Sequence, residues 1–272
     1  MEKRTLAEAL HLELEPVAIT LTDDEPTAED FLKFEGKGES TASSIPFIKG
    51  QKDCPAAYII AAAKAGISSY FDRANYDACD GGRLGLGFTR EYRDAHRLSC
   101  YLSTGDEALK EWNLNCPFSS GRGERLFATP EIAYYSKHEN IERELIPTRY
   151  VVFQPLSKVA EDQTPDQIHI FANPDQLSAL IIMLGFMTGE RDNVNARFEA
   201  ACHCVSLTYQ ESLTDKPRAV LGFVDLGQRP DLPKDLLSLT MSYDKFKEIE
   251  ACVEESCITS EGWKPMAERL PQ

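Results

Sequence analysis

The sequence predicts an α+β protein, a mixed sheet with flanking helices, and three observations carry that expectation. Short β-branched or apolar runs recur along the chain, among them PVAITLT, RYVVFQPL, IHIFA and AVLGFVD. Helical stretches carry recognisable ends, such as Cys54-Pro55 at the start of one and Gly66 at its close. The two kinds of segment mix without a strict strand–helix–strand rhythm, which favours α+β over a doubly wound sheet.

In chain order, residues 4–14 read as a helix with apolar positions at helical spacing, and Pro16 to Thr22 as an alternating strand. Asp23 to Gly50 is polar and reads as a long surface excursion. Proline fits the first position of the next helix, where a missing N–H costs nothing, and AAYIIAAAKAG continues it. Ile67 to Phe71 is a strand. A glycine series at Gly81, Gly82, Gly85 and Gly87 reads as a tight turn, followed by a polar helix from Thr89 towards Leu102. NLNCPFSSGRGERLF is loop-like. Arg149 to Leu156 is a strand, and PDQIHIFANPDQLSALIIMLGFM reads as strand, turn and helix, with Asn173 as N-cap before Pro174. Ala219 to Asp225 and Leu237 to Ser242 are strands, and YDKFKEIEACVEESC is a closing helix.

With 272 residues the chain can bury a full core. It is read as one domain over 1–272, with a candidate N-terminal lobe 1–147 and C-terminal lobe 148–272. The net charge of −15 repels phosphate backbones, so nucleic acid is not an expected partner. The densest basic patch, around Arg122 and Arg125, is small. The longest apolar run, Leu177 to Met187, is too short to cross a bilayer, and no apolar segment follows the N-terminal charges. A cytoplasmic protein without membrane contact is expected, its partners a small molecule or a redox protein.

Eight cysteines are the main chemical clue. In a reducing compartment such thiols bind metals or react rather than forming staples. Cys54 opens a helix, where the dipole favours a thiolate. Cys79 precedes the glycine series, where backbone can approach a ligand closely. Cys202 and Cys204 flank His203; in a strand they would leave the histidine on the opposite face. No paired CxxC motif is present, so any metal site must be assembled by the fold. The competing account of each thiol is a small buried hydrophobe.

Other motifs say less. The glycine series matches no phosphate-loop pattern, although Arg83 within it could meet an anion. His11, His138 and His169 read as structural or solvent-facing. His96 and Cys100 would share a helix face, and Cys252 and Cys257 read as packing residues. No nucleophile elbow or zinc-protease motif occurs.

Several of these pieces in this order resemble the domain-of-unknown-function 169 family of archaeal and bacterial proteins. They are the early helix with PVAITL, the Cys54 helix, ACDGGRLGLGF, PDQIHIFANPDQLSAL, the cysteine at 202, LGFVDLGQRPDL and the closing YDKFKEIEACVEESCITSEGWKPMAERL. The resemblance implies an architecture and no reaction, and the cysteines matching its pattern are Cys54, Cys79 and Cys202.

The expected function is therefore a thiolate-bound cofactor, an iron–sulfur cluster, in redox or electron-transfer chemistry. Cys54, Cys79 and Cys202 are the expected ligands, with Cys116 or Cys204 as a fourth. Gly81 and Gly82 would shape the wall, and Arg83 would balance charge. Zinc or a tetrapyrrole are the alternative cofactors; a metal-free module that binds a small organic molecule or a tetrapyrrole is the second reading, and a thiol-dependent enzyme the third.

Overall fold

The computed structural model describes residues 4–27, 31–34, 54–105, 123–139 and 143–270, and every structural statement below concerns these residues. Its strands are β1 (Val17–Thr22), β2 (Leu32–Phe34), β3 (Ser69–Asp72), β4 (Tyr150–Pro155), β5 (Gln167–Ala172), β6 (Val194–Asn195), β7 (Ala219–Gly222) and β8 (Leu237–Ser242). They form one sheet in the order β2-β3-β4-β1-β5-β8-β7-β6. The inner pairings are antiparallel, and the parallel ones, β2 with β3 and β6 with β7, lie at the two edges. Helices cover both faces, so the α+β expectation holds.

The helices are α1 (Leu6–Leu10), α2 (Pro55–Ala65), α3 (Asp80–Gly85), α4 (Ala95–Leu102), α5 (Pro130–Tyr134), α6 (Pro174–Leu184), α7 (Cys204–Ser212), α8 (Tyr243–Ala251) and α9 (Lys264–Ala267). Strand alternation divides the buried side chains between two cores, because successive residues point to opposite faces. Val17, Ile19, Phe71, Val151, Phe153 and Phe171 pack with α2 and with the Cys202–Val205 segment on one side. Ala18, Ile168, Ile170, Ala172, Leu239 and Met241 pack with α1, α6 and α8 on the other.

Local chemistry explains most element ends. Asn173 accepts from the Gln176 N–H at 3.0 Å while Gln176 Oε1 accepts from the Asn173 N–H at 2.8 Å, a reciprocal cap for α6. Gly66 closes α2 with φ +65°, a conformation that glycine adopts without a Cβ penalty. Other elements depart from expectation. The first helix stops at Leu10 rather than residue 14, because His11 turns left-handed at φ 50° and its N–H caps the helix. The polar excursion contains β2, recruited by parallel pairing with β3. The glycine series is no tight turn: Asp80–Gly85 is helical, with Cys79 capping it and Asp80 and Arg83 at the ends their charges favour. The Cys202 segment is not a strand but a 3-10 turn (Ala201–His203) running into α7. The closing helix ends at Ala251, leaving Cys257 in a 3-10 turn. No described helix is long and apolar enough to cross a membrane.

Candidate functional site

Three cysteines from three segments meet where α2, α3 and the turn before α7 converge. Cys54 is the N-cap residue of α2 and makes no side-chain capping bond. Cys79 caps α3, its Sγ accepting from the Gly82 N–H at 3.3 Å. Cys202 Sγ donates to the Gly81 carbonyl at 3.5 Å. The thiols sense one another. Contact with the Cys54 side chain, followed by burial and the proximity of Cys79, raises the Cys202 thiol well above its ordinary value. Burial and then Cys54 push Cys79 up to about 12. Two thiolates cannot share a dry pocket cheaply, so the unliganded site holds protons.

Glycine makes the convergence possible. A Cβ on Gly85 would lie 2.5 Å from Cys202 Sγ, and one on Gly82 would strike the Tyr76 hydroxyl and stand 2.8 Å from Pro55 Cδ. Helix α3 can therefore seat against both neighbours only without side chains at these positions. Gly81 is less constrained, with Cys79 Sγ 3.7 Å from an added Cβ. Arg83 stands 3.9 Å from Asp80 in its own helix.

The remaining expected ligands stand elsewhere. Cys204 opens α7, its thiol buried, bonded to Thr240 and pushed up to about 12 by burial. It belongs to the sheet-facing side of that helix, not to the trio. Cys116 lies outside the described residues. Among the described residues, no group of three or more His, Cys, Asp or Glu is spaced to close around a metal ion. Cys252 packs in the second core with Cys257 beside it, and His96 Nε2 lies 3.8 Å from Cys100 Sγ on α4.

A buried ionic cluster that sequence reasoning missed abuts the trio. Lys137 Nζ donates to Glu199 Oε2 at 2.6 Å, and His203 Nδ1 lies 3.2 Å from the same oxygen. All three side chains are nearly inaccessible, at 5%, 6% and 3% exposure. Burial alone would raise the Glu199 carboxyl, but His203 and Lys137 outweigh it and hold the group at about 2. Lys137 also lies 5.2 Å from the Phe198 ring centroid. The second His203 nitrogen, Nε2, is buried without a partner, as is Asp225 Oδ1. Burial raises the Asp225 carboxyl, and Ala201, Gln228 and its own backbone N–H groups oppose that shift.

Helix α5 delivers Lys137 in an unusual way, by widening into a π-helical turn over Tyr135–Glu139. Such turns are frequent at functional sites because they re-aim side chains. Here Lys137 turns inward to Glu199, while His138 lines a neighbouring pocket of about 350 Å³ with Arg90, Glu91, Tyr92, Ala95, Tyr134 and Arg143. His138 is thus neither plainly structural nor solvent-facing, and burial followed by the charge on Arg143 lowers its pKa. Tyr92 joins the two regions. Its phenol is raised by burial, then by Glu199, Cys202 and Cys79 on one side, while Arg143 on the other lowers it.

The chain belongs to the DUF169 family, described as "Uncharacterised ArCR", whose model matches residues 5–251. No curated protein matches it, and no solved structure does.

Proposed function

We propose that Cys54, Cys79 and Cys202 hold a thiophilic redox centre, an iron–sulfur cluster, and that the protein serves in electron transfer or redox chemistry on a small molecule. The observation that supports this reading is the meeting of three thiols from distant segments, pressed together by Gly82 and Gly85. The donors are of the right kind, since thiolates are the usual ligands of such clusters and glycine backbone lets them approach closely. Loading must draw the three thiols closer than they stand here. When bound, the cluster supplies one-electron chemistry.

The chain's own residues contribute the rest. Raised thiol pKa values keep Cys79 and Cys202 protonated in the empty site, so binding a metal must release those protons. Lys137, locked on Glu199 with His203 against the same oxygen, sets a buried ion pair near the thiols. Phe198 and Tyr92 shield that charge from water.

Anaerobic reconstitution with iron and sulfide tests the reading. About one cluster per chain is expected, with loading falling as pH is lowered, and Cys54→Ser, Cys79→Ser or Cys202→Ser should each abolish or sharply reduce it. Protein that stays free of iron and colourless, or that loads equally well in all three variants, overturns it. A second reading rests on the side-chain contact between Cys54 and Cys202. If mild oxidant joins these two while iron is refused, the site is a dithiol–disulfide pair instead.

A further inference from the structure

We infer that the pocket lined by Arg90, Tyr92, Tyr134, His138 and Arg143 is a binding site for a small planar carboxylate. At about 350 Å³ it lies at the small end of ligand-sized cavities, which suits one ring and a charged group. Its walls are flat. Tyr134 stacks on His138 with ring centres 4.8 Å apart, and Tyr92 meets the same imidazole edge-on at 5.4 Å. Tyr134 is 41% exposed, so one aromatic wall stands open to an incoming ring.

The pocket also holds buried polar atoms without partners. Arg143 Nη2 and His138 Nε2 are both buried and unpartnered. Buried donors of this kind normally find a partner, and two together call for an acceptor with two oxygens. Arg143 has no carboxylate partner among the described residues. Its Nη1 donates to the Arg90 carbonyl at 3.4 Å, and its guanidinium lies 5.8 Å from the Tyr92 ring centroid. Arg90 is paired with Glu144 at 3.4 Å, and among the described residues Glu91 is the one carboxylate in the lining. Among the described lining residues Arg143 is the guanidinium left without a carboxylate, in a protein whose overall charge is strongly negative. With its proton on Nε2 the neutral His138 ring donates to one carboxylate oxygen, while Arg143 supplies the charge.

The site rests on its own residues and not on the thiols, although Tyr92 places any occupant one side chain away from Cys79 and Cys202. A calorimetric titration of the full chain, run both before and after iron loading, reads the two proposals separately. Benzoate is the probe, benzamide its uncharged counterpart, and inorganic phosphate a non-planar anion. Benzoate should bind more tightly than either of the others. Arg143→Gln should weaken it about 10- to 100-fold, the usual worth of a charge-assisted hydrogen bond, and Arg143→Lys by less. Tyr134→Ala, at an exposed position the fold does not depend on, should weaken benzoate several-fold. No benzoate binding, equal binding of benzoate and benzamide, tighter binding of phosphate, or an Arg143→Gln variant that folds and binds like the parent would each overturn the inference.

Discussion

On the side of the sheet covered by α1, α6 and α8, the core is built mostly from Leu, Ile, Met and Ala, and among the described residues its buried polar side chains are paired. Gln176 is typical: its Nε2 donates to the Leu10 and His11 carbonyls at 3.0 Å each. The side covered by α2, α3 and α7 is aromatic, and polar groups interrupt it. There Gln167, His169, His203, Thr208, Asp225, Gln228 and Ser238 each leave a buried polar atom without a partner. Both sides exclude water, yet only one is fully satisfied. Apolar burial stabilises at little cost, whereas each unsatisfied buried group costs about 1–3 kcal/mol. A chain retains such a liability mostly where a ligand or a reaction uses it, and the thiols and the ionic cluster lie on that side.

The sharpest test of this contrast is Glu199→Gln, which leaves the Lys137 ammonium buried without its counter-charge. We expect a loss of about 3–5 kcal/mol in urea unfolding. Adding Lys137→Met should recover part of that loss, and strictly additive effects would show that the cluster is not one unit. Leu180→Ala on the aliphatic side should cost about 3 kcal/mol by leaving a cavity, while cluster loading and benzoate binding stay unchanged. If loading falls with it, the two sides are not separable.

Acid should weaken the polar side through His169, which burial lowers from 6.5 to about 3. The folded protein keeps this ring neutral while the unfolded chain takes up a proton, so stability falls as pH drops below ~6.5 and levels off below the folded value. About 2 kcal/mol should go between roughly pH 6.5 and pH 5, at ~1.36 kcal/mol per pH unit. His169→Leu should flatten that slope in unfolding midpoints measured across the range. Glu199 adds its own loss at lower pH, from the ordinary carboxylate range down to about 2. The smallest effect belongs to Arg4, paired with Glu254 at 2.9 Å on the surface of the aliphatic side. Arg4→Ala should change stability by under about 1 kcal/mol and less in high salt.

The aliphatic side was readable in the sequence, because its helices carry apolar periodicity and α6 an explicit cap at Asn173. Cys54, Cys79 and Cys202 were readable as well, since few residue types are so chemically distinct. Lys137, Glu199 and His203 were not. Among 44 acids and 29 bases nothing marks one buried pair, and burial of charge is decided by distant segments rather than by neighbours. One signal was available: Glu199 and His203 stand four apart, as do Tyr134 and His138. The glycine series misled because glycine is a poor helix former, and close packing against Cys202 and Pro55 outweighs that propensity here.

The place of β4 in the sheet has a consequence for how the chain is made. Residues 150–155 lie between β3 and β1, which both emerge much earlier during synthesis. Until β4 arrives, β1 and β3 are two edges with a one-strand gap between them, and their unpaired amides invite wrong partners. Folding must therefore wait for a late segment and close long loops, which slows it. A ribosome-bound chain halted just before residue 150 should be a ready client for chaperones, and the released full-length chain, with β4 and β5 both seated on β1, a much poorer one.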